Sequence, residues 1–177
     1  LNATQNEQPR IVLSGSVVTQ GGKPAIYQYP FTNKDSLYTN AATFSSTSTI
    51  YMVSLIEETA GTILLSGNIA PSVPFVGCAK PSNGSTSYNS AGSVVTRVNG
   101  SQIGTTRANM QTASYNIRAI TTFEDVNCSS WTYYSTDYSN TDFRGASYLQ
   151  ELVIFAVDKS DNTANIEAQI NNYYSIY

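Results

Sequence analysis

Histidine is absent from this chain of 177 residues. Serine and cysteine nucleophiles are commonly activated by a histidine base, so the Ser-His-Asp and Cys-His arrangements are excluded. Histidine is also the commonest metal-ligating side chain in proteins. The absence therefore argues against hydrolases of these types and against histidine-ligated metal centres.

Charged residues are scarce as well: they make up 12% of the chain, and the net charge is −3. The nine lysines and arginines are scattered along the sequence. Because binding of phosphate backbones needs clustered cations, we expect no nucleic-acid partner. The longest apolar runs, such as 152–157, are far shorter than the stretch of about 20 residues that spans a bilayer, so we expect no membrane insertion.

Paired carboxylates with the spacing of a sugar-cleaving site are also missing. Glycosidases use two carboxylates that flank the scissile bond. Glu57 and Glu58 are neighbours in the sequence, as are Glu124 and Asp125. Adjacent residues of a strand point to opposite faces, so neither pair can act together on one substrate. The sequence therefore predicts a protein that is not an enzyme.

Short polar residues and strand-forming residues fill the composition instead. Ser, Thr and Asn compete with the helical backbone for hydrogen bonds, whereas Val, Ile, Thr and the 13 tyrosines favour strands. Runs of strand length, separated by turn signals, recur at intervals of about ten residues. They cover 11–13, 24–29, 36–38, 48–56, 62–66, 74–79, 86–89, 93–98, 101–103, 115–122, 130–134 and 148–157. The mostly apolar run 48–56 is expected in the middle of a sheet.

Turn residues between these runs indicate antiparallel connections. Asn99-Gly100 is the strongest short hairpin signal in the chain, and Gly21-Gly22 predicts a second turn. Many short strands joined by such turns are typical of an antiparallel sandwich or jelly roll.

The end of the chain predicts one helix. After the strand 148–157 and the polar turn 158–162, apolar residues recur at spacings of three and four, namely Ile166, Ile170, Tyr173 or Tyr174, and Tyr177. Ser160 or Asp161 can cap this amphipathic helix of about three turns. The sequence thus predicts an all-β protein, an antiparallel β-sandwich with one short C-terminal α-helix. We expect a polar N-terminal arm at 1–10 and a single domain at 11–177.

Five segments carry a resemblance to a known family. Phe-Arg-Gly at 143–145 precedes the apolar strand 148–155, and Asn-Ile-Glu opens the segment 165–177, which ends in a Tyr-rich stretch. Gly-Gly-Lys-Pro-Ala-Ile at 21–26 and Arg-Val-Asn-Gly at 97–100 are further matches. These segments resemble the closing strand and helix, the entry strand and a hairpin of concanavalin A-like (LamG-type) jelly rolls. The resemblance is specific over the last 35 residues and implies the jelly-roll fold.

The ending Asn-Asn-Tyr-Tyr-Ser-Ile-Tyr at 171–177 is similar to endings of structural and fibre proteins of tailed bacteriophages. The resemblance implies a non-enzymatic structural, fibre or decoration domain on the virion surface. Such a domain would assemble with copies of itself or with other virion proteins, and it could bind cell-surface glycans of the host. The alternative is an extracellular carbohydrate-binding module of a secreted or cell-surface bacterial protein.

Exposed aromatic side chains are the usual means of binding sugars, and four of them cluster in one segment: Trp131, Tyr133, Tyr134 and Tyr138. If 130–134 is a strand, Trp131 and Tyr133 share one face and Tyr134 lies on the other. The alternative places Trp131 in the core and the tyrosines on the sheet or at an intersubunit contact.

Two further pairs of residues are candidates for a metal site and a cross-link. Lectin-like proteins often bind calcium through carboxylates and carbonyls, and Asp158 and Asp161 are candidate ligands. The favoured alternative is a turn whose Asp caps the helix, so we predict no cofactor. Cys78 and Cys128 either form a disulfide, which would close a loop of about 50 residues, or remain free thiols.

Overall fold

The computed structural model describes residues 10–28, 37–43, 47–57, 62–66, 75–79, 93–126, 130–134 and 147–177, with side chains at 10–27, 47–57, 93–126 and 148–177. Most of these residues form short antiparallel strands. The strands are β1 (Val12–Leu13), β2 (Ser16–Val17), β3 (Thr19–Gln20), β4 (Lys23–Pro24), β5 (Ile26–Gln28), β6 (Leu37–Thr43), β7 (Ser48–Ile56), β8 (Thr62–Ser66), β9 (Phe75–Ala79), β10 (Val95–Val98), β11 (Ser101–Gln102), β12 (Arg118–Val126), β13 (Ser130–Tyr134) and β14 (Ser147–Phe155). The helices are α1 (Arg107–Ser114) and α2 (Thr163–Tyr174), and a 3-10 turn at Ser160–Asn162 precedes α2.

The largest sheet has six antiparallel strands in the order β11-β10-β12-β7-β14-β5. Strand β7 lies at its centre, between β12 and β14, and all but one of its residues are buried. A strand covered on both faces has no side that faces water, which explains why its sequence is mostly apolar. The expectation that 48–56 lies in the middle of a sheet is confirmed.

A second sheet has four antiparallel strands in the order β6-β13-β8-β9. Strands β8 and β13 have the bounds expected from the sequence. The expected strand at 86–89 and residues 1–9 of the expected N-terminal arm lie outside the described residues. Arg10, the last residue of that arm, pairs with Tyr27 of β5 through two backbone hydrogen bonds of 2.8 Å.

Three tight hairpin turns have positive φ at both central residues: Ser14-Gly15, Gly21-Gly22 and Asn99-Gly100. This is the pattern of type I′ turns, whose twist matches that of the strands they join. The two turns expected at Gly21-Gly22 and Asn99-Gly100 are confirmed. The Ser14-Gly15 turn follows the strand expected at 11–13, where β1 lies, and joins it to β2, which was not expected.

Helix α2 packs on the six-stranded sheet, as its apolar spacing predicts. Tyr174 is buried in a cluster with Val53 of β7 and Ile120 of β12, and Ile170 and Ile176 pack against this cluster. The expectation that Ser160 or Asp161 caps α2 is wrong. The residue before the helix is Asn162, whose side chain makes no capping hydrogen bond, because the preceding 3-10 turn carries the chain into the helix.

Helix α1 was not expected from the sequence, and the strand predicted at 115–122 is wrong at its start, since β12 begins at Arg118. Met110 is the buried apolar residue of α1, so the helix has no apolar periodicity. It is defined by its first turn, where Thr106 and Asn109 bond each other's backbone N–H groups in a capping box.

Candidate functional site

A layer of polar side chains lies between α2 and the six-stranded sheet. Three of these side chains lie on neighbouring strands: Tyr51 on β7, Thr122 on β12 and Arg97 on β10. They are neighbours because Thr122 pairs with both of the others. Glu124 follows on the same face of β12, and Thr163 and Glu167 approach from α2. We call these six residues the polar layer.

Hydrogen bonds within the polar layer join sheet to helix. The Tyr51 and Thr163 hydroxyls lie 3.1 Å apart and share a hydrogen bond, and the Thr122 hydroxyl donates to the Glu167 carboxylate. On the sheet itself, Arg97 Nε donates to Glu124 Oε1 at 3.2 Å in an ion pair. Both carboxyl residues are enclosed, with 4% of Glu124 and 3% of Glu167 exposed.

Enclosure changes the acidity of Glu167. Burial is the largest cause that raises the pKa of its carboxyl group, and the negative charge of Glu124 raises it further. The hydrogen bond from Thr122 and the positive charge of Arg97 lower this pKa, but by less than burial and Glu124 raise it. Burial also raises the pKa of the Tyr51 hydroxyl. The layer therefore holds one carboxyl group in an ion pair with a cation and one whose pKa is raised by burial.

Two carboxyl groups in different environments are the arrangement that acid–base catalysis uses. Sequence reasoning missed this pair because it compared only residues adjacent in the chain, whereas the fold brings Glu124 and Glu167 together from a strand and a helix. Catalysis also needs substrate at the carboxyl oxygens, and these side chains are almost completely enclosed. Their contacts fix α2 on the sheet.

The hairpin of β1 and β2 exposes apolar side chains. Ile11 is 63% exposed, Val12 50%, Leu13 40% and Val17 60%. We call these four residues the hairpin surface. A groove of about 350 Å³ separates it from β4, β5 and β14; it is lined by Ile11, Val12, Val17, Pro24, Ala25, Ile26, Leu149 and Gln150. Val12 and Val17 are paired across the hairpin, and both line the groove. Exposed apolar side chains beside an apolar groove are typical of a site that binds another protein.

Gln150 fixes the floor of this groove. Its amide nitrogen lies within hydrogen-bonding distance of three backbone carbonyls, those of Gln20 at 3.0 Å, Lys23 at 3.2 Å and Pro24 at 3.4 Å. Reversing the amide would bring its oxygen against all three carbonyls, so the orientation is determined. The amide oxygen is buried and accepts no hydrogen bond from the part of the chain that the structure describes.

A third feature is a depression of about 490 Å³ between β14 and α2, lined by Glu151, Gln169, Ile170, Tyr173 and Tyr174. We call it the tyrosine depression. Tyr173 is 60% exposed, whereas Tyr174 is 8% exposed. Their rings meet edge to face, with centroids 4.8 Å apart.

The side chains of all four aromatic residues expected to bind sugars lie outside the described side chains. Trp131, Tyr133 and Tyr134 lie on β13, which confirms that 130–134 is a strand. The register with β6 shifts between Trp131 and Tyr133, so the regular alternation assumed for this segment is interrupted there. Tyr138 lies outside the described residues. Glycan binding by these residues stays a prediction.

Of the two expected metal ligands, Asp158 precedes the 3-10 turn and Asp161 lies within it. The Asp158 carboxylate accepts hydrogen bonds from the Ser160 hydroxyl at 2.7 Å and from the Ser160 backbone N–H at 3.0 Å. These bonds lower the pKa of Asp158 and close a local turn ahead of the 3-10 turn, but they do not cap α2. Asp161 is exposed. Within the described ranges, no three acidic or cysteine side chains are grouped as metal ligands; the prediction of no cofactor and its calcium alternative are both left untested.

Cys78 lies on β9, where it pairs with Ile63 of β8. Cys128 lies outside the described residues, so the choice between a disulfide and two free thiols stays open. Neither of the two helices described is long and apolar enough to cross a membrane.

No protein-family model matches this chain, and comparison with curated proteins and with solved structures finds no match.

Proposed function

We propose that this chain is a non-enzymatic structural module of an assembled particle, of the fibre or decoration type found on bacteriophage virions. Its surface location and its association with copies of itself or with other virion proteins are part of the proposal. The observation that carries it is the hairpin surface, where four apolar side chains are exposed beside an apolar groove.

The fold proposed with this function is a concanavalin A-like jelly-roll sandwich of the two larger sheets. One face of the six-stranded sheet is covered by α2. On the opposite face Ile50, Met52 and Phe123 are completely buried, so this face is covered as well. Helix α1 contacts both β12 of this sheet and β9 of the four-stranded sheet. These contacts support a layered arrangement of the two sheets.

The partner proposed for the hairpin surface is a second copy of this chain. A two-stranded hairpin is marginally stable by itself in water, and the exposed residues of this one are apolar. The segment 11–18 and the lining of the neighbouring groove contain no charged residue, so the hairpin of one copy can enter the groove of another without burying a charge. A protrusion beside a matching groove is the self-complementary surface that a two-fold symmetric dimer needs.

The size of the particle in solution tests this proposal. We expect the wild-type chain to form a dimer or larger oligomer in size-exclusion chromatography with light scattering, and Val12→Ser with Val17→Ser to shift it to monomer. Each half-exposed valine contributes roughly 1 kcal/mol when covered, so removing four of them from a dimer costs roughly 4 kcal/mol. This corresponds to a weakening of the dimer of about a thousandfold.

Val157→Ser is the matched control, because Val157 is 50% exposed but lies outside the hairpin and its groove. Circular dichroism checks that each variant is folded. A wild-type chain that stays monomeric at micromolar and higher concentrations would contradict the proposal, and so would a double variant that assembles as well as the wild type.

The alternative function is an extracellular carbohydrate-binding module of a secreted or cell-surface bacterial protein. Such a module has no need of self-association, so monomeric protein that binds sugars would favour it. The tyrosine depression is the observation that keeps this alternative open.

A further inference from the structure

We propose that residues 151–155 of β14, which we call the open edge, pair with the same residues of a second copy of this chain across a two-fold axis. β14 covers Ser147–Phe155, but β5 pairs with it only at 147–149. Among the described strands, none pairs with the side of 151–155 that faces away from β7. Alternate residues of an antiparallel strand turn their backbone N–H and C=O groups to opposite sides, so this edge offers hydrogen bonds to a further strand. The open edge is separate from the hairpin surface, and the inference therefore goes beyond the proposed function.

The side chains of the open edge are exposed from the side, not from above or below the sheet. Val153 pairs with Tyr51, which bonds Thr163 of α2, so this pair lies on the face under the helix. Leu152 pairs with Met52 on the opposite face. Tyr51 and Met52 are completely buried, which shows that both faces of the sheet are covered at this level. Val153 and Leu152 are nevertheless only half-buried, and their exposure comes from the lateral edge.

The sequence of the open edge favours the addition of a strand. The segment 152–157 reads Leu-Val-Ile-Phe-Ala-Val and contains no charged residue, proline or glycine. The register shift of β14 lies between Leu149 and Glu151, and the ladder with β7 is regular from Glu151 to Phe155. Charges, prolines and bulges are the usual means of protecting a sheet edge, and 152–155 has none of them. Such an edge is a template for pairing with another chain.

Charges at the two ends of the open edge favour a second copy as the partner and set the register. In an antiparallel pair centred on Val153, Glu151 of each copy lies opposite Phe155 of the other. The ammonium group of Lys159 lies 5.6 Å from the centroid of the Phe155 ring, so each Glu151 approaches a cation of the other copy. Within one copy, Glu151 and Phe155 are about 13 Å apart along the strand. The carboxylate of Asp158 accepts hydrogen bonds within its own turn.

Pairing at the open edge is expected to be weak by itself. It involves residues 151–155 of each copy, whereas a stable interface has about 20–30 residues a side. We therefore expect it at high protein concentration, or where the hairpin surface already holds copies together, and we expect the hairpin variant to be monomeric at micromolar concentration. Two separate self-complementary surfaces on one chain link more than two copies, as an assembled particle requires.

Cross-linking at the centre of the pair is the first measurement. Cα atoms directly opposite each other in antiparallel strands are about 4.5–5.5 Å apart, within the range of a disulfide. We expect Val153→Cys to give a covalent dimer under mild oxidation on non-reducing electrophoresis, with the disulfide between the two substituted positions located by peptide mass spectrometry. The wild type controls for Cys78 and Cys128.

Val157→Cys is the matched control. Val157 is 50% exposed and follows the same strand. In the proposed register the two copies of this position are about 13 Å or more apart, beyond the reach of a disulfide, so we expect much slower cross-linking. Circular dichroism checks that each variant is folded.

Charge reversal tests the register. In the Val153→Cys chain, Glu151→Lys places two ammonium groups together at each end of the pair and should slow cross-linking about threefold to tenfold. Adding Lys159→Glu brings opposite charges together again and should restore the rate. A folded Val153→Cys chain that cross-links no faster than Val157→Cys overturns the inference. A rate that neither charge substitution changes overturns it as well.

The same cross-linking in the Val12→Ser, Val17→Ser background separates this inference from the hairpin proposal. We expect the covalent dimer to form there too, at raised protein concentration. Cross-linking by a chain whose wild type is monomeric contradicts only the hairpin proposal. A chain that assembles through the hairpin surface but does not cross-link at position 153 contradicts only this inference.

Discussion

Replacing Glu167 by glutamine removes a negative charge from the polar layer and keeps the size of the side chain. The amide oxygen of glutamine can still accept the hydrogen bond that Thr122 donates to the carboxylate. The substitution therefore separates the effect of the charge from the effects of packing and hydrogen bonding. We expect Glu167→Gln to increase the free energy of unfolding at neutral pH.

The magnitude follows from the opposing contributions at this site. Transfer of an ionised carboxylate into a protein interior costs several kcal/mol. The hydrogen bond from Thr122 offsets about 1.5–3 kcal/mol of this cost. The positive charge of Arg97 also stabilises the ionised carboxylate, whereas the negative charge of Glu124 destabilises it. A net penalty of about 1–2 kcal/mol remains, and we expect the variant to be more stable by this amount.

The effect depends on pH in a defined direction. The pKa of Glu167 is raised in the folded chain above its ordinary value of 4.5. Below 4.5 the carboxyl is protonated in both the folded and the unfolded chain, so variant and wild type have equal stability. As the pH rises further, the Glu167 carboxyl loses its proton in the unfolded chain before it does so in the folded chain. The free energy of unfolding of the wild type therefore falls until the pH reaches the raised pKa of the folded chain. The advantage of the variant thus grows through the mildly acidic range and then becomes constant.

Urea denaturation followed by circular dichroism, repeated from about pH 4 to about pH 8, measures this difference. Glu124→Gln is the control, since the same substitution there breaks the ion pair with Arg97 and should cost about 1–2 kcal/mol at neutral pH. The reasoning is refuted if Glu167→Gln destabilises the chain at neutral pH, or if its effect is the same at both ends of the pH range.

Three further substitutions test the packing. Gly21→Ala should destabilise the chain by about 1–3 kcal/mol in urea denaturation, because φ is positive at Gly21 and the new methyl group would overlap the Arg118 guanidinium. Gly22 also has a positive φ, but the space around it is open, so Gly22→Ala should destabilise the chain by about 1 kcal/mol. Equal losses at the two glycines would contradict the packing argument. Met110→Ala should cost about 2–5 kcal/mol, because Met110 is completely buried, and a thermal midpoint close to that of the wild type would show that α1 contributes little.

The strands were predictable where apolar runs and turn residues agree. β7 and β8 have the expected bounds, and Asn99-Gly100 forms the expected hairpin, because each depends on local sequence. Helix α1 could not be found by periodicity, since its interior has one buried apolar residue; the pair Thr106 and Asn109 was the signal available.

The candidate sites were less predictable than the strands. Glu167 lies on a helix whose apolar spacing was recognised, yet its burial depends on Thr122, which the register of β12 places beneath α2. The tyrosine depression likewise joins Glu151 of a strand to Tyr173 of a helix. Such pairs are set by tertiary packing, which the local sequence does not encode.

The position of β14 in the six-stranded sheet has a consequence for biosynthesis. Strand β14 lies between β7 and β5, and it supplies the neighbouring strand for the edge strand β5 near the start of the chain. Arg118 also donates hydrogen bonds to the carbonyls of Gln20 in the N-terminal hairpin and of Tyr174 at the end of α2. While the chain emerges from the ribosome, β7 has at most one of its two neighbouring strands, and β5 lacks the strand that pairs with it in the sheet, until β14 is synthesised. The early apolar strands thus remain exposed to chaperones and to aggregation until translation has passed β14, and the sheet closes only afterwards.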